Sequence, residues 1–147
     1  MPEDWVKADD IAFFVAGQTI QTPCSGAKRA ALDQDGDHLL LGGTDGSAGV
    51  YSLPSGKLVE RLDVEAPVTD TLWADALAIT ATALGSIKSW NAGKVQLTSQ
   101  LHNGPVTALA LHPSKEILAS VGIDKTCTFY DLTSNKQAAL VGTDSGE

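Results

Sequence analysis

The feature that most constrains this chain is a pattern that returns about every 40 residues. Each copy ends on an aromatic residue, and these residues are Tyr51, Trp90 and Tyr130, spaced 39 and 40 positions apart. An apolar run returns with the same period, because 68–73 aligns with 106–111. A unit of that length accommodates four short strands and their turns. The sequence therefore predicts an array of similar all-β units.

The third copy is the most complete. Three apolar or β-branched runs, at 106–111, 117–121 and 126–130, are separated by short polar turns. Runs and turns of these lengths predict an antiparallel meander. His102 lies four residues before the first run, and the unit ends on Tyr130 and Asp131. This succession resembles a WD repeat, the unit that forms one blade of a β-propeller.

The resemblance implies a WD-repeat β-propeller in which about three four-stranded blades of an expected seven are present. The chain then divides into an N-terminal extension at 1–26, a blade at 27–64, a degenerate blade at 65–101, a blade with the full motif at 102–141 and the start of a missing blade at 142–147. Inner strands such as 106–111 are apolar on both faces, which suits a strand packed between neighbouring blades.

The segment 1–26 does not fit the repeat. Residues 9–15 are compatible with a short helix that begins at an aspartate or with a strand, because their periodicity favours neither. Residues 18–22 alternate weakly and are a candidate outer strand. In many propellers an N-terminal strand completes the last blade, and this role is open for 1–26.

Length and composition narrow the function classes. The chain has 147 residues, of which 43% are hydrophobic, enough for a folded core. No apolar run approaches the length of a membrane span, and the acidic N-terminus does not resemble a signal peptide. Cys24 and Cys127 are expected to be free thiols. A net charge of −8 argues against direct nucleic-acid binding by this segment.

Four residues of the third repeat stand where WD repeats place a structural tetrad: His102, Ser120, Asp124 and Tyr130. WD repeats usually carry tryptophan at the position of Tyr130. The expected arrangement is a buried polar chain from carboxylate to imidazole to hydroxyl to aromatic ring, in which each member satisfies the next. Serine, histidine and aspartate also form hydrolase triads, but here all three lie within one repeat, which favours the structural role.

The other two repeats depart from this motif. The second has Val64 at the histidine position and Leu84-Gly85 at the aspartate position. The first retains Asp45 but has Pro23 near the histidine position. We therefore expect the complete tetrad only in the third repeat.

No metal or cofactor site is expected. Residues 33–38 resemble the start of a calcium loop, but that loop needs glycine at its sixth position and glutamate at its twelfth. Here those positions hold His38 and Thr44, so a solvated hairpin turn is the preferred interpretation. The three histidines and two cysteines show no metal-ligand spacing.

Five segments, 41–46, 48–53, 112–113, 117–125 and 129–132, together resemble one particular family. It is the WD-repeat domain of the splicing-associated U-box ubiquitin ligase at the core of the Nineteen Complex, especially its fungal members. That resemblance implies a nuclear protein of pre-mRNA splicing and DNA repair whose propeller recruits substrates and spliceosomal proteins. Ubiquitin transfer is performed by a U-box elsewhere, and no U-box or coiled-coil segment is recognisable in this sequence.

Two other functions remain as alternatives. The chain is compatible with a WD-repeat scaffold of another complex. It is also compatible with an enzymatic or carbohydrate-binding propeller whose active residues lie in missing blades. Clustered carboxylates or histidines in further blades would favour the second, and a U-box before this segment would favour the ubiquitin ligase.

Three blades leave the ring open, so we expect apolar faces at both ends and self-association or complementation by the missing blades. The residues predicted on these faces are Leu39, Leu41 and Val50 at one end and Leu109, Leu111 and Phe129 at the other.

Overall fold

The computed structural model describes residues 5–8, 11–14, 26–53 and 55–142. In this part of the chain fourteen β-strands are present, and there is no helix long and apolar enough to cross a membrane. The strands are β1 (Trp5–Ala8), β2 (Ile11–Phe14), β3 (Ala27–Leu32), β4 (His38–Gly43), β5 (Ser47–Ser52), β6 (Lys57–Asp63), β7 (Val68–Ala74), β8 (Leu77–Thr82), β9 (Ser86–Asn91), β10 (Lys94–Gln100), β11 (Val106–Leu111), β12 (Ile117–Gly122), β13 (Thr126–Asp131) and β14 (Lys136–Gly142).

Three four-stranded antiparallel sheets account for β3 to β14. The first sheet is β3-β4-β5-β6, the second is β7-β8-β9-β10 and the third is β11-β12-β13-β14, each in sequence order. Short turns join consecutive strands, so every sheet is a meander. The predicted fold class, all-β with three four-stranded units arranged as in a partial propeller, is confirmed.

The N-terminal strands stand apart from these sheets. β1 and β2 pair antiparallel, with Trp5 opposite Phe14, in a two-stranded sheet of their own. Of the two alternatives for 9–15, the structure shows a strand at Ile11–Phe14. Neither β1 nor β2 is hydrogen-bonded to another described strand. The candidate outer strand at 18–22 lies outside the described residues.

The turn between the second and third strands of each sheet uses a residue with positive φ. Gly46 has φ 88° and Gly85 has φ 92°, a region that glycine enters without steric cost. Lys125 occupies the same turn position in the third sheet with φ 66°. A side chain with a Cβ is therefore held in the left-handed region beside Asp124.

The sheets stand side by side with the second in the middle. β7 packs against β3 and β4, and β11 packs against β7 and β8. A polar contact reinforces each junction: the Arg29 Nε donates to the Thr69 carbonyl at 2.9 Å, and the Leu109 amide donates to Asp70 Oδ2 at 2.8 Å. The first strands of neighbouring sheets thus lie together, as in a propeller.

Two apolar cores fill the spaces between the sheets. The buried members of the first core, between the first and second sheets, are Leu40, Ala48, Val50, Leu62, Val64, Val68, Ala78 and Trp90. Those of the second core, between the second and third sheets, are Ala74, Ile79, Ala81, Ile87, Val106, Leu118 and Tyr130. Burying one large aliphatic side chain stabilises a fold by about 1.5–3 kcal/mol, so these junctions hold the sheets together.

The first junction is close enough to require glycine. A Cβ added at Gly42 would lie 2.4 Å from the Cγ1 of Val68. The β4 backbone therefore packs directly on a side chain of the second sheet, and any larger residue at position 42 has to displace it.

The pairing register corrects one prediction about the open end of the first sheet. Leu40 and Val50 pair with each other and belong to the first core, and Val50 is 2% exposed. The prediction that Val50 lies on the open face was wrong, because its side chain points toward the second sheet. Leu39 and Leu41 alternate with Leu40 and lie on the opposite face, partly exposed.

At the third sheet two of the three predicted end-face residues were wrong. Leu109 and Leu111 pair with Ser120 and Leu118 and pack on the second core, so they face the second sheet. Phe129 pairs with Ala119 and lies on the other face, as predicted. A bulge in β11 between Val106 and Ala108 shifts the alternation, and it is not visible in an apolar run.

Candidate functional site

A buried polar cluster surrounds His102, on the link between β10 and β11. The His102 side chain is fully buried. Its Nε2 lies 2.8 Å from Ser120 Oγ, and its Nδ1 lies 3.0 Å from Asp124 Oδ1. The structure thus brings together three of the four predicted tetrad residues. The imidazole joins the loop between two sheets to the interior of the third.

Asp124 joins the same loop to the turn between β12 and β13. Its Oδ2 accepts a hydrogen bond from the Asn103 amide at 3.0 Å, and its Oδ1 accepts one from the Thr126 hydroxyl at 2.7 Å. Thr126 Oγ1 also lies 2.8 Å from His102 Nδ1. Thr126 was not among the predicted tetrad residues, although an aspartate followed two residues later by a hydroxyl residue is a recognisable turn signal. Asp45 and Ser47 make the same contact, at 2.7 Å, in the first sheet.

The electrostatics of Asp124 favour its charged form. Burial raises the pKa of this carboxyl, but hydrogen bonds from the Asn103 amide, the Thr126 hydroxyl and His102 outweigh it. Together these effects lower the pKa of Asp124 from its usual 3.8 to about 2. The carboxylate is therefore ionised and fully engaged in holding its neighbours.

The absence of a side chain at Gly122 leaves room for the His102 imidazole. A Cβ added at Gly122 would lie 2.5 Å from His102 Nδ1 and 2.7 Å from Asp124 Oδ1. The ring thus rests against the backbone of β12, and position 122 has no room for a side chain.

Tyr130 does not continue the chain of hydrogen bonds. It is 2% exposed and packs in the second core, and its hydroxyl shares a hydrogen bond with Ser99. Burial raises the pKa of the Tyr130 hydroxyl. No hydrogen bond joins Tyr130 to Ser120 among the described residues. The hydroxyl of Tyr130 lies at the far end of its ring. It therefore reaches beyond Ser120 to β10, the outer strand of the second sheet.

The second sheet contains the link that the third lacks. The Trp90 Nε1 donates to Thr80 Oγ1 at 3.0 Å, and Thr80 is fully buried. Thr80 and Trp90 each stand 40 residues before Ser120 and Tyr130, so the repeat period would have found this pair. Val64, at the histidine position, is 1% exposed and fills its space with an apolar side chain.

The geometry of the cluster is that of a structural network. Ser120 is fully buried, so its hydroxyl is inaccessible to a substrate even though serine, histidine and aspartate are in hydrogen-bond sequence. In the described ranges no group of three or more histidine, cysteine, aspartate or glutamate residues is arranged to hold a metal ion. Cys127 is a free thiol, and Cys24 lies outside the described residues.

The turn at 33–38 provides hydrogen-bond donors for the carboxylate of its first residue, Asp33. Asp33 Oδ1 accepts hydrogen bonds from the amides of Asp37 and His38 at 2.9 and 3.2 Å, and its Oδ2 lies 2.9 Å from His38 Nδ1. Burial raises the pKa of Asp33, but these bonds outweigh it and lower the pKa. The aspartate at the start of the turn therefore acts as the cap of a hairpin.

Comparison with known proteins agrees with this architecture. Residues 93–131 match the family model described as "WD domain, G-beta repeat". In overall fold the chain is similar to the crystal structure of the computationally designed Ika4 protein, with a TM-score of 0.75 and 22% identity over 84% of this chain and 79% of that one. The resemblance of the third repeat to a WD repeat is therefore confirmed.

The curated proteins that are similar in sequence include two pre-mRNA-processing factors and a kinase-interacting protein. Pre-mRNA-processing factor 19 homolog 2 of Arabidopsis thaliana is 31% identical over 74% of this chain and 22% of its own length. Pre-mRNA-processing factor 19 of Oryza sativa subsp. japonica is 27% identical over 76% of this chain and 23% of its length. The p21-activated protein kinase-interacting protein 1-like of Xenopus laevis is 38% identical over 38% of this chain and 16% of its length. The chain thus spans about a fifth of the relatives that it matches.

Proposed function

We propose that this chain is a protein-interaction scaffold, a set of WD-repeat propeller blades that recruits partners. The observation that carries this proposal is the burial of the hydrolase-like cluster of Ser120, His102 and Asp124, in which Ser120 is fully inaccessible. The residues that resemble a catalytic triad hold loops in place. The loops and sheet edges that they position form the surface available to partners.

Within that class, we assign the chain to the partner-recruiting part of a nuclear ubiquitin ligase that acts in pre-mRNA splicing and DNA repair. Similarity to two pre-mRNA-processing factor 19 proteins, each over about three quarters of this chain, supports the splicing assignment. Ubiquitin transfer would belong to another part of such a protein, and this segment would bring substrates and spliceosomal proteins to it. The remaining blades of a seven-blade ring would complete the propeller.

Affinity purification of the tagged chain from nuclei of its own organism tests this assignment. We expect spliceosomal proteins to be enriched over a control purification with a designed propeller of the same fold. Quantitative mass spectrometry measures the enrichment. Equal recovery with the chain and with the control propeller would contradict the splicing assignment.

A scaffold of another complex is the second candidate, and one observation favours it. The similarity to the p21-activated protein kinase-interacting protein is 38%, although it covers only 38% of this chain. Enrichment of a protein kinase and its associated proteins, without spliceosomal proteins, would support this candidate over the first.

A further inference from the structure

An open cleft of about 500 Å³ lies between the first and second sheets, at the edge where the β3–β4 and β7–β8 turns meet. Its volume is in the range of pockets that bind small ligands or single side chains. Two indoles, Trp73 and Trp90, line it. The Trp73 Nε1 is held by the Ala31 carbonyl at 3.1 Å, and Trp90 is fixed by its bond to Thr80. The aromatic walls are therefore rigid.

Acidic side chains dominate the lining of the cleft, beside one histidine, His38, which is paired with Asp33. Four carboxylates line it, those of Asp33, Asp35, Glu60 and Asp75, and neither lysine nor arginine is among the lining residues. Asp33 is satisfied within its own turn. Asp35 and Glu60 make no ion pair in the part of the chain that the structure describes. The cleft thus combines carboxylates that make no ion pair with two lining indoles, the partly exposed Trp73 and the mostly buried Trp90. Negative charge and aromatic rings are two features that attract an organic cation.

Two ammonium groups of the chain already lie beside these side chains. Lys115 Nζ lies 3.0 Å from Asp75 Oδ1 and contacts Gln34 at the edge of the cleft. Lys88 Nζ lies 5.9 Å from the centre of the Trp90 ring, within cation–π distance. Neither lysine lines the cleft, yet each shows that its carboxylate or indole accepts a cation in this setting.

We propose that this cleft binds a lysine or arginine side chain presented by a protein partner. The occupant follows from charge complementarity: an aliphatic stem can pack on the indoles while its cationic group meets Asp35 and Glu60. The inference rests on the proposed role as a scaffold, and it specifies that the partner presents a basic side chain. A neutral or acidic side chain would leave these carboxylates without a counter-charge.

Titration of the isotope-labelled 147-residue chain with N-acetyl-arginine amide and N-acetyl-lysine amide tests the proposal. We expect saturable NMR shifts of the indole N–H signals of Trp73 and Trp90. N-acetyl-citrulline amide, which has nearly the shape of arginine but no charge, should bind about tenfold more weakly. Equal affinity for arginine and citrulline amides, or no saturable shift with any probe, would overturn the proposal.

Three variants make the test specific. The double variant Asp35→Asn, Glu60→Gln should raise the dissociation constant for arginine amide about tenfold, and Lys115→Gln should lower it about threefold by removing a competing cation. Asp63→Asn, an exposed residue at the opposite end of the first sheet, changes the net charge without touching the cleft and should have no effect. If Asp63→Asn weakens binding as much as the double variant, the attraction is a property of the whole surface and the cleft is not the site.

Failure of this titration would leave the scaffold function in place, because capture of spliceosomal proteins tests that function separately. Conversely, loss of partner capture with cation binding intact would remove the splicing assignment alone.

Discussion

At the scale of single residues, the His102 cluster connects a loop to two strands through groups that water does not reach. Ser120 and His102 are 0% and 2% exposed, so each depends on the other for its hydrogen bond. Removing one partner leaves the other buried and unsatisfied, which costs more than the bond itself contributes.

We expect His102→Ala to lower the free energy of unfolding by about 1–3 kcal/mol, because it leaves the buried Ser120 hydroxyl without its partner and removes one of the hydrogen bonds of the Asp124 carboxylate. Urea denaturation followed by far-ultraviolet circular dichroism measures the change. His112→Ala removes an exposed histidine in the turn between β11 and β12 and should change stability little. If the two variants unfold at the same urea concentration, the cluster does not stabilise the fold.

The lowered pKa of Asp124 predicts how the free energy of unfolding responds to acid. Its pKa is lowered in the folded protein from 3.8 to about 2, so its contribution is fully present above about pH 4 and is lost as pH falls toward 2. Asp124→Asn should therefore be less stable than wild type at pH 6, and the difference should shrink between pH 4 and pH 2. Denaturation curves of both proteins across that range measure it.

The pKa values of Asp33 and Asp131 are also lowered, so the wild-type curve alone is not diagnostic. The prediction concerns the difference between the two proteins. A difference that stays constant from pH 6 to pH 2 would contradict it, because a carboxylate with an ordinary pKa would add no such slope.

At the scale of elements, stability depends on the two junctions between sheets. The first junction has its closest contact where Gly42 of β4 meets Val68 of β7. Since packed interiors yield little, an added methyl group there has to displace a strand or a side chain.

We expect Gly42→Ala to destabilise the chain by about 1–3 kcal/mol through this overpacking. Gly142→Ala is the matched control, because a Cβ there would meet nothing within 4 Å and the residue also lies in a strand. Thermal unfolding of both variants compares them. A Gly42→Ala protein as stable as Gly142→Ala would mean that the first two sheets do not pack as described.

At the scale of the whole molecule, the outer faces of the first and third sheets carry exposed apolar side chains. Leu32 and Leu58, on the first sheet, are 60% and 43% exposed, and Val121 and Val141, on the third, are 37% and 49% exposed. The two end faces of a linear array are different surfaces, so contact between the third sheet of one copy and the first sheet of another would be heterologous.

We expect the 147-residue chain to associate through these faces, since exposed apolar patches of this kind are normally covered. Size exclusion coupled to light scattering measures the mass. Val121→Glu with Val141→Glu should shift the chain toward monomer, whereas Leu84→Glu, in an exposed turn of the middle sheet, should not. A monodisperse species of 15.3 kDa that unfolds cooperatively would contradict the prediction.

The sequence by itself determined the strands of the three meanders and their order, because these depend on local alternation and on turn residues. It did not predict β1, and it left 9–15 open between a helix and a strand. It also located His102, Ser120 and Asp124, since a repeat of known period places its polar residues at fixed offsets. Only the tertiary structure decided which way each strand faces a neighbouring sheet. The bulge in β11 and the pairing of Leu40 with Val50 moved three predicted end-face residues into the cores.

The hydrogen bonds of Tyr130 and Trp90 were likewise decided by the tertiary structure. Both aromatic residues end the same strand of their repeats, but a phenol and an indole place their polar atoms at different distances from the backbone, so Tyr130 bonds to Ser99 and Trp90 to Thr80. The acidic cleft combines residues separated by more than 50 positions, from Asp33 to Asn91, and no local pattern connects them. Side-chain reach and the packing of one sheet on the next are long-range properties, and they are what sequence periodicity leaves open.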